Sequence, residues 1–300
     1  MLVAGGEAIY VNEPLNPRHP PGRSPGVLNA DITHRYQYIC ADNEAPWVTA
    51  FGDLLRLRYH LVAELRRNHS PYDFALAANY AKDFTVGKVR GRRALIDDPF
   101  GVMSSGWFAE RMGCTVVLSV RQPVSVVGSW RKLGWKALLN EVLGQPLLMR
   151  DLFAPYAGEL QAAEDSGDPV RRAALLWRVT YAALGDLNER KPGLLHIQRY
   201  EDLAMNPEAG FRELYAVCGL SWNERARKHI LWATSDHGQA KANRTWTGVF
   251  SRTAFKPMDS RAALGAFRDR LSPEEIDKVQ EITADVAARF YDAKDDVTSS

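Results

Sequence analysis

The sequence predicts an α/β fold, a central parallel sheet covered by helices on both faces, three layers deep. Three observations predict it. Short apolar runs occur at Ala94–Ile96, Thr115–Val120 and Leu194–Ile197, the second of them rich in β-branched residues. Helical segments separate each run from the next, the order that parallel strands with crossover helices require. The 300 residues are 46% hydrophobic and 25% charged, which supports a sizeable core and excludes collagen-like, disordered and disulfide-scaffold chains.

The elements follow in order. Gly5-Gly6 reads as a helix C-cap at the very start, followed by a short strand at Ala8–Val11. Residues 14–31, rich in Pro and Gly, read as a surface loop. Pro46 opens a helix expected to run to about Arg67, with Trp47, Phe51, Leu54, Tyr59, Val62 and Leu65 near helical spacing. Residues 71–91 show no single period. A helix carrying Trp107, Phe108 and Met112 ends at Gly113, and Thr115–Val120 is the clearest strand. Helices are expected over 123–133, 136–143, 169–188, 207–218, 222–233, 260–270 and 273–290. The chain is expected to be one domain over 1–300, with 292–300 a disordered tail.

Formal net charge is +2, so no global field attracts nucleic acid or an anionic membrane, and neither is an expected partner. Any anion must be gripped by a local cluster. Three scattered cysteines and the absence of an apolar leader or spanning run point to a reduced cytoplasmic setting without membrane insertion. The seven histidines and three cysteines show no HExxH or CxxC spacing, and no metal is expected. The basic run Lys88-Val-Arg-Gly-Arg-Arg93 reads as a solvated turn.

One local feature carries chemistry. A buried strand ends at Arg121, Pro123 suits the first position of a helix, and Ser129 lies eight positions beyond Arg121. Ligands of α/β folds bind outside the carboxyl ends of parallel strands, and a helix N-terminus offers free N–H groups to an anion. Arg121 and Ser129 then grip one phosphate, or Arg121 is simply exposed at a strand end with Ser129 filling a helix face. A second feature, Gln198-Arg199-Tyr200-Glu201-Asp202-Leu203 with Asn206-Pro207, reads as a strand end, one turn and a new helix.

Together these residues resemble a known family. Arg121-x-Pro123 with Ser129, then Arg199-Tyr-Glu-Asp-Leu203 with Asn206-Pro207, then Leu271-Ser-Pro-Glu-Glu-Ile276, is similar to the sulfotransferases that use 3′-phosphoadenosine-5′-phosphosulfate (PAPS). The likeness is to bacterial members acting on carbohydrates and other small hydroxyl acceptors. Tyr10–Asn16, Asp98-Pro99-Phe100, Trp107–Glu110 and Gly134-Trp135 extend it over residues 8–290. The resemblance implies a phosphate-loop-hydrolase-like sulfotransferase fold. It also implies sulfuryl transfer from PAPS, as co-substrate, to a hydroxyl of a carbohydrate or small-molecule acceptor, without a metal. It implies that Arg121 and Ser129 hold the 3′-phosphate. A loop near the C-terminus, with Arg252, Lys256 and Arg261 as candidates, closes over the nucleotide. Glu13 stands where the general base would be.

The chain departs from the family twice. No Gly/Ser-rich phosphate loop precedes Ala8, so the sequence reading expects a reading frame beginning upstream, a gap inside the sheet, and little transfer by these residues alone. Relatives commonly carry a lysine where Asp97 stands, and a carboxylate there repels a sulfuryl donor. The competing reading is a non-catalytic relative that binds a nucleotide or partner. A small-molecule kinase would need Mg²⁺ ligands and a phosphate-loop lysine that the sequence does not offer.

Overall fold

A computed structural model of the chain describes residues 1–19, 25–235, 261 and 264–291. Its four strands are β1 (Ala8–Asn12), β2 (Arg93–Asp97), β3 (Val116–Val120) and β4 (Leu195–Arg199). All pairing is parallel, but it falls into two separate pairs: β1 with β2, and β3 with β4. The expectation that residues 94–97, 115–120 and 194–198 are neighbours in one sheet is therefore corrected. The last two are adjacent, whereas β2 pairs with β1, and no ladder joins β2 to β3 among the described residues. Pairing is a non-local choice, and a list of apolar runs does not order them.

The helices follow local signals. Before β2 come α1 (Ala45–Leu55), α2 (Leu61–Arg67) and α3 (Pro71–Val89). The single helix expected from Pro46 to Arg67 is broken at Leu57, which takes φ 53. A left-handed leucine costs about 1–2 kcal/mol. Its side chain recovers that by burial with Ile9, Phe51 and Phe84, worth about 1.5–3 kcal/mol for a residue of this size. The segment 71–89 is one continuous helix, opened by Pro71 and by a reciprocal cap in which the Asp73 N–H donates to Ser70 Oγ at 3.1 Å. Gly87 lets this helix approach β1, because a Cβ there would stand 2.8 Å from Ile9 Cγ2.

A 3-10 turn at Pro99–Ser104 leads into α4 (Ser105–Glu110), which packs against β3 and β4. Pro123 then opens α5 (Pro123–Leu133), closed by Gly134 at φ 65, and α6 (Leu139–Leu143) is shorter than expected. Next are α7 (Ala157–Ser166), which the sequence reading missed, and the long α8 (Pro169–Arg190), capped by Asp168. After β4 come α9 (Tyr200–Met205), α10 (Pro207–Val217), α11 (Glu224–Ala233) and α12 (Pro273–Ala287), the last opened by a capping box between Ser272 and Glu275. Of the helix expected over 260–270, residues 264–270 form turns instead, and Phe267 is buried against α5 at Gly128. The glycine cap read at the start is real: a 3-10 turn at Leu2–Gly5 ends at Gly6, φ 92.

The two pairs are covered differently. On β1·β2, Ile9, Val11, Ala94 and Ile96 meet α1 and α3 through Phe51, Leu54 and Phe84. The opposite face places Ala8 and Leu95 against Tyr215, Ala226 and Ile230 of α10 and α11. This pair is therefore covered by helices on both faces. On β3·β4, Leu118, Val120 and Leu195 pack on Trp177 and Leu184 of α8 and Val286 of α12. The other face carries Val117, Ser119, His196 and Gln198, of which Ser119 is exposed. No described helix is long and apolar enough to cross a membrane.

Candidate functional site

The site is built at the carboxyl ends of β3 and β4. Their register sets Val120 opposite Arg199, so the next residues, Arg121 and Tyr200, leave the sheet side by side. The Arg121 guanidinium carbon lies 4.5 Å from the centroid of the Tyr200 ring, a cation–π contact worth about 0.5–2 kcal/mol. Burial raises the Tyr200 hydroxyl pKa, while Arg121 opposes the rise. The backbone of the turn is held from outside. Trp177 Nε1 donates to the Arg121 carbonyl at 2.9 Å, and the Gln122 N–H donates to Glu201 Oε1 at 2.9 Å. Tyr291 OH donates to the other Glu201 oxygen at 3.0 Å, and burial, followed by this carboxylate, raises the Tyr291 pKa. Tyr181 OH donates to the carbonyl of Ser119 one residue inside the strand end, at 2.9 Å.

Ser129 lies on α5, half-buried, two turns beyond Pro123. Beside it Gly128 admits Phe267, and a Cβ at Gly128 would stand 3.7 Å from Arg270 Cβ. The segment 264–271 thus lies against the turn of α5 that carries Ser129. Arg261 sits elsewhere: its Nη2 donates to the Met205 carbonyl at 2.9 Å, and it lines an open cleft with Asn206, Glu208 and Arg212. The six-residue α9 therefore has Arg121 over the ring of its first residue and Arg261 on the carbonyl of its last. Arg252 and Lys256 lie outside the described residues, as does most of the loop expected to close over a ligand.

Glu13 belongs to the other pair. It follows β1 at φ 45, its N–H donates to the Asp97 carbonyl at 2.9 Å, and Asn16 Nδ2 donates to Glu13 Oε2 at 2.6 Å. Two more carboxylates stand there. Asp97 is exposed and accepts from Tyr10 OH at 2.8 Å. Asp98 accepts from the N–H groups of Leu15 and Phe100 at 2.6 and 2.9 Å, yet burial pushes its pKa up to about 7. The carboxyl ends of β1·β2 are acidic, and those of β3·β4 present arginine on tyrosine.

Trp177, Tyr200, Glu201 and Tyr291 were not foreseen as site residues. Tyr200 and Glu201 lie within the stretch read as a strand-to-helix junction. That reading holds for the backbone, since α9 and α10 follow it, but it leaves their side chains unassigned. The basic run after α3 divides: Arg93 donates to the carbonyls of Cys218 and Gly219 at 2.6 and 3.2 Å, while Lys88 and Arg90 are exposed around a turn at Gly91.

No family model matches the sequence, and no curated protein does. A solved structure described as "Sulfotransferase Domain from the Curacin Biosynthetic Pathway" is similar with a TM-score of 0.43 and 13% sequence identity, over 91% of this chain and 96% of that chain.

Proposed function

We propose that the chain binds the 3′-phosphate of PAPS at Arg121 and Ser129 and transfers its sulfuryl group to a hydroxyl of a carbohydrate or small-molecule acceptor. One observation carries the reading. Arg121 leaves the end of β3 on the ring of Tyr200, with its backbone held on both sides, immediately before the N-terminus of α5. The donor set suits an oxyanion: a guanidinium fork, a hydroxyl, and the first N–H groups of an 11-residue helix. Arg261, at the far end of α9, suits a second anionic group of the same nucleotide. The sequence resemblance supplies the identity of that nucleotide.

In transfer the acceptor oxygen bonds to sulfur as the bond from sulfur to the phosphate oxygen breaks. The proton of the attacking hydroxyl passes to a carboxylate within reach, the role assigned to Glu13. A second reading, a nucleotide- or partner-binding protein without transfer, is favoured by Asp97, whose exposed carboxylate stands beside Glu13 and opposes an incoming sulfuryl anion.

Transfer of [³⁵S]sulfate from labelled PAPS to a panel of sugars and small alcohols tests the first reading. Turnover that falls about 10²–10⁴-fold in Glu13→Gln, with nucleotide affinity retained, supports it. Nucleotide binding with no turnover, even after a phosphate-loop segment is supplied ahead of Ala8, selects the second. No affinity for adenosine 3′,5′-bisphosphate contradicts both forms of the nucleotide reading.

A further inference from the structure

A carboxylate from the start of α9, Glu201, stands against the turn carrying Arg121, an unfavourable neighbour for an anion site. Glu201 is adjacent in sequence to Tyr200, the ring beneath Arg121, and a free negative charge there weakens anion binding. Its two oxygens are instead committed, one to the Gln122 N–H at 2.9 Å and one to Tyr291 OH at 3.0 Å. These partners are 79 and 90 residues away in sequence, one on the β3–α5 turn and one just past α12. A carboxylate serving only α9 would bond that helix's own first N–H groups. Glu201 reaches outside it in both directions.

We propose that Glu201 is a positioning residue: it ties the Arg121 turn to the end of the C-terminal helix and so sets where the guanidinium meets an anionic ligand. The proposal rests on the reading of Arg121 as an anion-binding group. Three bonds act together. Trp177 fixes the carbonyl of Arg121, Glu201 fixes the next N–H, and Tyr291 orients Glu201 from behind. With both backbone groups held and the guanidinium set on the Tyr200 ring, less freedom is left to lose on binding, which is the advantage of a preorganised site. Tyr291 is oriented in turn by Arg199, whose guanidinium carbon lies 5.5 Å from its ring centroid. The second strand's arginine therefore contributes to placing the first strand's.

The test uses the full chain, adenosine 3′,5′-bisphosphate as probe, calorimetry for affinity, and amide exchange at Gln122 followed by NMR. Glu201→Ala is expected to speed Gln122 exchange and weaken the probe about tenfold, the scale of one lost bond to a charged group. Glu201→Gln, which still accepts from Gln122 and can donate to Tyr291, is expected to restore both. Tyr291→Phe, expected to fold because it removes one oxygen, should give an intermediate loss of about threefold by leaving the carboxylate held by the Gln122 N–H alone. Wild-type affinity in Glu201→Ala, or in Tyr291→Phe should the alanine variant not fold, overturns the proposal. So does Gln122 exchange that does not respond. If wild type does not bind the probe, or Arg121→Ala binds it equally well, the reading of Arg121 fails first and the proposal falls with it. If Arg121→Ala binds weakly while the Glu201 and Tyr291 variants do not, only the proposal fails.

Discussion

The two strand pairs share length, parallel sense and apolar composition, yet they end in opposite chemistry. The carboxyl ends of β1·β2 carry Glu13, Asp97 and Asp98, together with Tyr10. The ends of β3·β4 carry Arg121 on Tyr200 and Arg199 on Tyr291. The pairs also differ in support. β1·β2 is packed from both faces, and its polar end is held by bonds between the ends of its own two strands, Tyr10 OH to Asp97 and the Leu15 N–H to Asp98. The arginine end of β3·β4 is held by side chains arriving from α8, α9 and the end of α12. The first pair thus combines a core packed on both faces with a carboxylate end, and the second ends in arginines set on tyrosine rings.

The largest effect expected from breaking the comparison is on stability. Phe51 is fully buried between β1·β2 and α4, with its ring in edge contact with Trp107 and Phe108 at 5.9 and 4.8 Å. Phe51→Ala should cost about 3–5 kcal/mol, the usual range for truncating a core phenylalanine. Denaturant unfolding measures it. A loss below 1 kcal/mol would mean that the first pair is not the stabilising half.

A smaller effect sharpens the comparison through pH. The Asp98 pKa is raised to about 7 in the fold, above about 3.9 in an unfolded chain. The folded state therefore binds more protons between these values. The contribution of Asp98 is fully favourable below about pH 4, falls as pH rises, and levels off above about pH 7. Melting temperatures of wild type and Asp98→Asn across pH 4–8 read this out. Wild type should lose stability relative to the variant as pH rises, and a constant difference between the two would remove Asp98 as the source.

Much of the fold was legible because it is written locally. Pro123, Pro169 and the Ser272–Glu275 box mark helix starts within one turn, a β-branched run marks β3, and a short apolar run marks β4. The helix α3 escaped because few of its residues are buried, Ala77, Phe84 and Gly87 among them, so its apolar pattern shows no clear face. The break at Leu57 escaped because a tertiary pocket, not a Gly or Pro, imposes it. The separation of the sheet into two pairs and the stacking of Arg121 on Tyr200 depend on which strands pair and in what register. Arg121, Ser129 and Glu13 could be selected from sequence as candidates, but their division between an arginine end and a carboxylate end appears only when the strands are assembled.

The most direct measurement compares one residue from each end. Calorimetric titration of adenosine 3′,5′-bisphosphate into wild type, Arg121→Ala and Asp97→Ala asks which strand pair holds the anion. Arg121→Ala should weaken binding by about 1.5–3 kcal/mol, the range for a lost hydrogen bond to a charged group, while the variant stays folded at the temperature of the titration. Asp97→Ala, which removes a carboxylate at the other end, should leave the affinity equal or improve it. Wild-type affinity in Arg121→Ala, or a loss in Asp97→Ala that matches or exceeds it, would place the anion elsewhere and contradict the account.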